Sequence, residues 1–197
     1  MISKDKLYGL VLSGGKSTRM GEDKGLIKYH DLPQREHLYH LLNEVCDDAF
    51  LSIRKDQENN ISNTFNAIVD NNEFRGPYNG LLSAHKAYPN VAWLVLACDL
   101  PLIDKKALQQ LIAARNPEKL ASAFANEEDP LPEPLCAIWE PEALKQSVAY
   151  LEAGNGSCPR KFLINAEVHL VFPQQKEVLL NANSKVEYEE ALQKIAS

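Results

Sequence analysis

Short apolar runs alternate with amphipathic segments along most of the chain, and this alternation limits the possible folds more than any other feature. Leu7–Leu12 (LYGLVL), residues 49–53 (AFLSI) and residues 91–97 (VAWLVLA) have the length and composition of buried strands. Residues 36–45 and 105–114 carry apolar side chains at helical spacing. Strands that alternate with helices at this pace predict βαβ units, and therefore an α/β fold with a mainly parallel sheet.

The rest of the chain continues the alternation. The same patterns predict strands at residues 67–69, 120–124, 135–139 and 168–172, and helices at residues 80–87, 142–151, 160–164 and 186–195. Asp104 is placed to cap the helix at 105–114. Residues 125–134 (ANEEDPLPEP) are polar and contain three prolines, so we expect a long loop or lid there rather than a linker. We therefore expect one domain, residues 1–197.

Composition narrows the possible partners. The chain has 197 residues, 45% of them apolar, and a net charge of -6. An acidic protein is a poor general ligand for nucleic acid or an anionic membrane, so we expect neither as a partner. No apolar run approaches the roughly 18 residues that suggest a membrane span, and MISKDK does not resemble a signal peptide. The four cysteines form no C-x-x-C pair, which predicts reduced thiols and a cytoplasmic location.

A glycine-rich loop follows the first predicted strand directly. Its piece GGKST is similar to the phosphate-binding loop G-x-x-x-x-G-K-[ST] of ATPases and GTPases. That spacing requires a glycine where the chain has Leu10, and Gly9 stands one position too early. The match therefore fails, and the loop needs another explanation.

The same loop is nevertheless suited to an anion. Ligands of open parallel sheets bind at the carboxyl ends of the strands, where this loop lies. Gly14 and Gly15 allow close backbone approach and leave N–H groups free for phosphate oxygens. Basic side chains gather around it in an otherwise acidic protein: Lys16, Arg19, Lys24 and Lys28. This contrast favours an anion site over the alternative, a loop with solvated charges.

Two carboxylates follow later predicted strands. Asp99 ends the most apolar strand, where a carboxylate is costly unless it is paired. Mg²⁺ bound together with phosphates would pair it, since Mg²⁺ takes only one or two protein carboxylates; a turn cap or an arginine partner is the alternative. Asp70 could accept two hydrogen bonds from the N1–H and N2–H₂ edge of guanine, although an aspartate in a turn is more often structural.

Other candidate sites are weaker. His37 and His40 lie three residues apart on a predicted helix, but no carboxylate or cysteine completes a zinc set. Neither a Ser-His-Asp arrangement nor a G-x-S-x-G elbow is recognisable, and Cys98 reads as a buried strand residue.

Several motifs in one order resemble the molybdenum cofactor guanylyltransferases and related nucleotidyltransferases. Residues 12–24 match L-[AS]-G-G-x-x-x-R-M-G-x-D-K, and residues 76–80 match G-P-x-x-G. Residues 99–101 resemble the family's metal-binding D-x-P, residues 133–135 its E-P-L, and residues 181–183 its N-x-N. The resemblance covers most of the chain and implies a three-layer α/β/α Rossmann-like nucleotidyltransferase fold.

The resemblance also implies roles for individual residues. Arg19, Lys24 and Asp99 would be catalytic, with Asp99 holding Mg²⁺. GTP would be bound by Leu12, Ser13, Gly14, Gly15, Lys24, Asp70, Gly76, Gly80, Asn181 and Asn183. Glu133, Pro134, Leu135 and residues 157–164, with Arg160 and Lys161, would form the acceptor side.

Three positions depart from the family pattern. Ser13 stands where alanine is usual, and Ser184-Lys185 follow N-x-N where Thr-Pro is common. The expected asparagine between residues 50 and 56 is missing, and Ser52 or Arg54 occupies that region.

The implied reaction joins GMP from GTP to the phosphate of molybdopterin and releases pyrophosphate. The resemblance also implies that the product passes to a molybdoenzyme or its chaperone. The alternatives are a cytidylyltransferase for the same cofactor, a transferase acting on another phosphorylated acceptor, and a molybdopterin carrier that transfers no nucleotide. Sugar-phosphate enzymes usually have proline where this chain has Gly21.

Overall fold

The computed structural model describes residues 6–15 and 23–196. In these residues the strands are β1 (Leu7–Leu12), β2 (Asp48–Ile53), β3 (Ala67–Val69), β4 (Ala92–Ala97), β5 (Ala121–Ala125), β6 (Pro132–Trp139) and β7 (Val168–Val171). The α-helices are α1 (Gln34–Val45), α2 (Pro77–Ala87), α3 (Lys105–Ala113), α4 (Pro141–Glu152), α5 (Pro159–Ile164) and α6 (Lys185–Ala196). Short 3-10 helices lie at Lys24–Leu26, Lys55–Asn60 and Lys176–Leu179.

The strands form one sheet in the order β3-β2-β1-β4-β6-β5-β7. Neighbouring strands are parallel except at β6, which runs antiparallel to both β4 and β5. Parallel neighbours need a crossover of a dozen or more residues, whereas residues 126–131 are enough only for a hairpin. The short connection between β5 and β6 therefore explains the one reversed strand.

Helices cover both faces of the sheet and give two separate cores. Adjacent residues of a strand face opposite sides, so Leu10 packs with α2 and α4 while Val11 packs with α1 and α3. Both side chains are completely buried. A smaller cluster joins α6 to Tyr29 through Ala191. The predicted three-layer α/β/α fold with a mainly parallel sheet is confirmed.

The predicted long loop or lid at residues 125–134 is shorter than expected and spans only residues 126–131. Ala125 ends β5, and β6 begins at Pro132. Pairing between β6 and β4 starts only at Cys136, so Pro132 and Pro134 lie beyond the end of β4, where no N–H is needed for that ladder. Pro130 lies in the remaining loop, whereas Pro132 and Pro134 belong to a strand that extends past β4 and carries Glu133 with it.

Local signals were otherwise reliable to within a few residues. The Asp104 carboxylate accepts a hydrogen bond from Ala107 N at 2.8 Å, which confirms the predicted cap of α3.

None of the helices in the described ranges is both long enough and apolar enough to cross a membrane.

Candidate active site

A cavity of about 540 Å³ opens at the carboxyl ends of the first four strands. The chain leaves β1 toward β2 on one side and returns to β4 on the other, so the cavity lies where the strand order reverses. This is the usual ligand position in open α/β sheets. Most of the described residues with a role predicted from sequence line it: Leu12, Ser13, Gly14, Gly15, Lys24, Asp70, Gly76, Gly80, Asp99 and Asn183.

Two selected residues are not among these. Arg19 lies outside the described residues, as do Lys16 and Gly21. Asn181 is absent from the lining of the described cavity, and its amide donates instead to the Leu179 carbonyl at 3.2 Å.

Asp70 is buried at one end of the cavity, with 7% of its surface exposed. Its carboxylate accepts from Ser52 Oγ at 2.7 Å and, more weakly, from Asn79 Nδ2 at 3.5 Å. Burial raises the pKa of Asp70, while the Ser52 hydrogen bond and the Arg54 charge oppose that rise. Ser52 therefore holds the carboxylate in the region where the family pattern expects asparagine.

Two glycines permit the close packing around this carboxylate. A Cβ on Gly14 would stand 2.5 Å from Asp70 Oδ2, and a Cβ on Gly80 would stand 2.1 Å from Ser52 Oγ. Gly76 has a φ of 63° and turns the chain into α2. Gly80, which lies against Ser52 and Leu12, allows α2 to pack closely against β1 and β2.

Ser13 also ties the strands together at this edge. Its N–H and its hydroxyl both donate to the Ser52 carbonyl, at 3.0 and 2.8 Å. Serine in place of the usual alanine therefore adds a bond between the ends of β1 and β2.

Asp99 lies at the other end of the cavity, on a backbone held from three directions. The carbonyl of Asp99 accepts from Ala182 N at 2.8 Å, and the carbonyl of Leu100 accepts from Gln34 Nε2 at 3.2 Å. A ring nitrogen of His30 contacts the Pro101 carbonyl at 3.0 Å. The D-L-P segment is thus fixed independently of its acidic side chain.

The Asp99 carboxylate faces a lysine. Lys24 Nζ lies 3.8 Å from Asp99 Oδ2 and donates to Asn183 Oδ1, so one ammonium group joins two segments far apart in sequence. Burial raises the pKa of Asp99, Lys24 opposes the rise, and Glu187 adds to it. The ion pair with Lys24 replaces the arginine partner considered from sequence.

The segment that carries Asn183 is anchored by the start of α6. Glu187 accepts from Asn183 N at 2.8 Å and from Ser184 Oγ at 2.9 Å, while Ser184 Oγ accepts from Glu187 N at 3.3 Å. These reciprocal bonds form a capping box. Serine replaces the usual threonine without loss of the cap.

Asp99 could serve as a protein ligand for a metal. No group of three or more His, Cys, Asp or Glu side chains converges anywhere in residues 6–15 and 23–196. A metal held only by such protein ligands is therefore not built into this part of the chain. Burial makes the charge of this carboxylate costly, and Mg²⁺ that completes its shell with water and phosphate could offset that cost in the cavity.

The predicted acceptor side contains an ion pair. Arg160 Nη2 donates to Glu133 Oε2, and Leu135 of the same segment lines the cavity. Burial raises the pKa of Glu133, Arg160 opposes the rise, and the charge of Asp99 adds to it. Glu133 therefore lies within electrostatic range of Asp99, while Lys161 is exposed on α5.

The support for the D-L-P segment includes a stacked histidine pair, which makes stability depend on pH. The rings of His30 and His37 lie 3.8 Å apart, and burial, followed by His30 and His40, lowers the pKa of His37 to about 4. The unfolded chain therefore binds this proton near pH 6.5, whereas the folded chain binds it only near pH 4. Stability should fall as the pH drops through that window.

We expect the variant His37→Phe to remove part of this fall, because phenylalanine can stack on His30 without binding a proton. The wild-type chain should lose about 2 kcal/mol more than the variant between pH 6.5 and 4, a value discounted for partial exposure. Denaturant unfolding at several pH values measures the slope. Equal slopes for the two proteins would contradict this assignment.

The sequence and the fold are both similar to those of known proteins. Residues 9–170 match the MobA-like NTP transferase domain. The chain belongs to that family. The molybdenum cofactor guanylyltransferase of Pseudomonas fluorescens is 31% identical over 184 residues, which cover 89% of this chain and 88% of that protein.

A second relative and a solved structure extend the comparison. The molybdenum cofactor biosynthesis bifunctional protein of a Synechocystis strain is 38% identical over 95% of this chain, but the match spans only 54% of that longer protein. The crystal structure of molybdopterin-guanine dinucleotide biosynthesis protein A from Archaeoglobus fulgidus has a TM-score of 0.78, with 16% identity over 96% of this chain and 98% of that one. At that identity the structure supports the MobA-like fold alone.

Several residues at the cavity belong to no motif that gives them a role in the sequence. Asn79 occupies a variable position of G-P-x-x-G, and its amide contacts Asp70 and Asn72. Arg54 and Gln57 belong to a polar stretch that reads as an ordinary loop, yet both contact the glycine-rich segment. The polar run directly after β2 was the only local signal.

Proposed function

We propose that this MobA-like chain transfers GMP from GTP to the phosphate of molybdopterin, which releases pyrophosphate and forms the guanine dinucleotide cofactor. The observation that carries the proposal is that one cavity has different polar groups at its two ends. Asp70 lies at one end, and Lys24 with Asp99 lies at the other. This arrangement suits a nucleotide that lies across the carboxyl edge of the sheet with its base and its phosphates held separately.

The carboxylate of Asp70 suits guanine. A carboxylate offers about four acceptor positions, and Ser52 and Asn79 use two of them. About two remain, which matches the paired N1–H and N2–H₂ donors of guanine. Cytosine offers no such pair, so the cytidylyltransferase alternative is less well supported.

The phosphate end of the site would act by charge and position. The acceptor phosphate is already an anion at neutral pH, so its oxygen can form the new bond to the α-phosphorus while the bond to pyrophosphate breaks. Asp99 would hold Mg²⁺, which supplies neutralisation of phosphate charge when bound. Lys24 would turn from its present partners toward the triphosphate, and Gly14 and Gly15 would offer their N–H groups. From the family resemblance, we assign Arg19 to the same triphosphate.

The acceptor would enter beside Leu135 and the ion pair of Glu133 and Arg160. Arg160 is about half exposed and could share its guanidinium with an incoming phosphate. We propose the cytoplasm as the location, given four free cysteines in the described chain, and handover of the product to a molybdoenzyme or its chaperone.

Pyrophosphate release with molybdopterin and Mg²⁺ tests the proposal, with GTP and CTP compared in parallel. We expect release with GTP that depends on both molybdopterin and Mg²⁺. Release with CTP alone would support the cytidylyltransferase alternative. Molybdopterin binding without release from either nucleotide would support a carrier.

A further inference from the structure

Two side chains that follow β2 grip the backbone of the glycine-rich segment, and we call Arg54 and Gln57 the loop clamp. Arg54 Nη1 donates to the carbonyls of Gly14 at 3.0 Å and Gly15 at 3.4 Å. Gln57 Nε2 donates to the carbonyl of Ser13 at 3.2 Å. Three consecutive carbonyls of this segment are therefore held from one side.

Gln57 also connects the two sides of the segment at 16–22. The same Nε2 donates to the Asp23 carboxylate at 2.8 Å, and Oε1 accepts from Arg54 N at 2.8 Å. Gln57 is only 5% exposed, and both the nitrogen and the oxygen of its buried amide have protein partners. The amide thus fixes the position of Ser13 relative to Asp23.

The charge of Arg54 is already compensated. Its Nε and Nη2 lie 3.0 and 3.2 Å from the two carboxylate oxygens of Asp56. All three nitrogens of the Arg54 guanidinium thus have protein partners, two at this carboxylate and one at the loop backbone. Its remaining contacts go to backbone carbonyls, which indicates a role in shaping the loop.

Peptide geometry turns these contacts into a prediction about N–H groups. In a trans peptide the carbonyl of one residue and the N–H of the next point in opposite directions, and the described chain has no cis peptide. A Ser13 carbonyl held by Gln57 therefore directs the Gly14 N–H away from the clamp, and a Gly14 carbonyl held by Arg54 does the same for the Gly15 N–H. Neither N–H has an acceptor among the described residues, and both glycines line the cavity.

We propose that Arg54 and Gln57 are positioning residues that turn the N–H groups of Gly14 and Gly15 toward the nucleotide phosphates. The inference rests on the proposed function, because it supplies the phosphate end of the same site. It assigns the clamp no contact with the substrate.

The isosteric variant Gln57→Glu tests the clamp. It preserves Oε1 as the acceptor for Arg54 N but places an oxygen against two acceptors, Ser13 O and the Asp23 carboxylate. We expect GTP affinity to fall at least about tenfold, while guanosine affinity, which lacks the phosphate contribution, changes less than twofold. In ¹⁵N NMR spectra, magnesium pyrophosphate should shift the Gly14 and Gly15 amides of the wild-type chain and not those of the variant.

A matched control is Gln110→Glu. Gln110 also donates to a carbonyl, that of Phe172 at 2.8 Å, and accepts from a backbone N–H, that of Gln174 at 3.1 Å, but it lies outside the cavity lining. It should leave the GTP affinity and both amide shifts unchanged. Adding Asp23→Asn to Gln57→Glu restores a donor opposite the new carboxylate, so we expect partial recovery of GTP affinity.

Several outcomes would overturn the inference. A folded Gln57→Glu protein with wild-type GTP affinity would do so, as would wild-type Gly14 and Gly15 amides that ignore pyrophosphate. If Gln57→Glu does not fold, Arg54→Met carries the same test at the Gly15 amide, and a normal pyrophosphate shift there would contradict the clamp. The wild-type Gly14 and Gly15 amides could respond to pyrophosphate while the chain shows no preference for GTP over CTP. That result would overturn the proposed function and leave the clamp intact.

Discussion

The Asp99→Ala variant should lose about 1,000-fold or more in turnover, because it removes the carboxylate assigned to Mg²⁺ and with it several kcal/mol of charge stabilisation. The fold should survive. Burial raises the pKa of Asp99, so its charged form is costly in the folded chain. Three backbone contacts hold the D-L-P segment without the side chain. We therefore expect a free energy of unfolding within about 1 kcal/mol of the wild-type value. Steady-state kinetics over a range of Mg²⁺ concentrations, together with denaturant unfolding, measure both effects.

Asp104→Ala is an informative control, since it makes the same change five residues later. Asp104 caps α3 through Ala107 N at 2.8 Å, so its loss should cost about 1 kcal/mol of stability. Its turnover should remain near the wild-type value. Near-normal turnover in Asp99→Ala, with the same dependence on Mg²⁺, would refute the metal assignment.

The second large effect is expected on base selection. Asp70→Asn replaces one acceptor oxygen by a donor amide at the end of the cavity where guanine is placed. We expect kcat/KM for GTP to fall about 100-fold and kcat/KM for CTP to change only a few-fold, since a lost pair of hydrogen bonds leaves buried polar groups unpaired. Parallel kinetics with the two nucleotides measure the difference.

Stability should not limit this second experiment. Burial raises the folded-state pKa of Asp70, so at neutral pH its charge opposes folding, and the neutral amide should be at least as stable. Asp48→Asn is the control, because it makes the same change outside the cavity lining, at the start of β2. There Asp48 accepts from Asn66 Nδ2 at 2.9 Å. An equal loss for GTP and CTP in Asp70→Asn would contradict base reading.

Periodicity was sufficient to predict the sheet because burial imposes it directly. Leu10 and Val11 are adjacent and lie in separate cores, which only a strand covered on both faces allows. The start of β6 was not predicted in the same way, because proline is a local breaker signal while the end of β4 is a property of the whole sheet. No window of sequence around Pro132 shows that β4 has already ended there.

The cavity lining was predictable where a residue closely follows a strand, as Asp70 and Asp99 do. It was not predictable where a role depends on a distant partner. Gln57 contacts Asp23, 34 positions away, and the surrounding KDQENN has the composition of an ordinary polar turn. The two asparagines of N-x-N could not be ranked either, because only the folded turn shows that Asn181 bonds back to Leu179 while Asn183 meets Lys24.

The fate of the phosphorus atoms of GTP tests the central claim most directly. The purified chain is incubated with molybdopterin, Mg²⁺ and GTP labelled at either the α- or the γ-phosphate, and the products are separated. Nucleotidyl transfer predicts the α label in a guanine dinucleotide of molybdopterin and the γ label in pyrophosphate, with neither product when molybdopterin is omitted. The γ label in free inorganic phosphate, with the α label left in GDP, would show hydrolysis at the terminal phosphate and contradict the account.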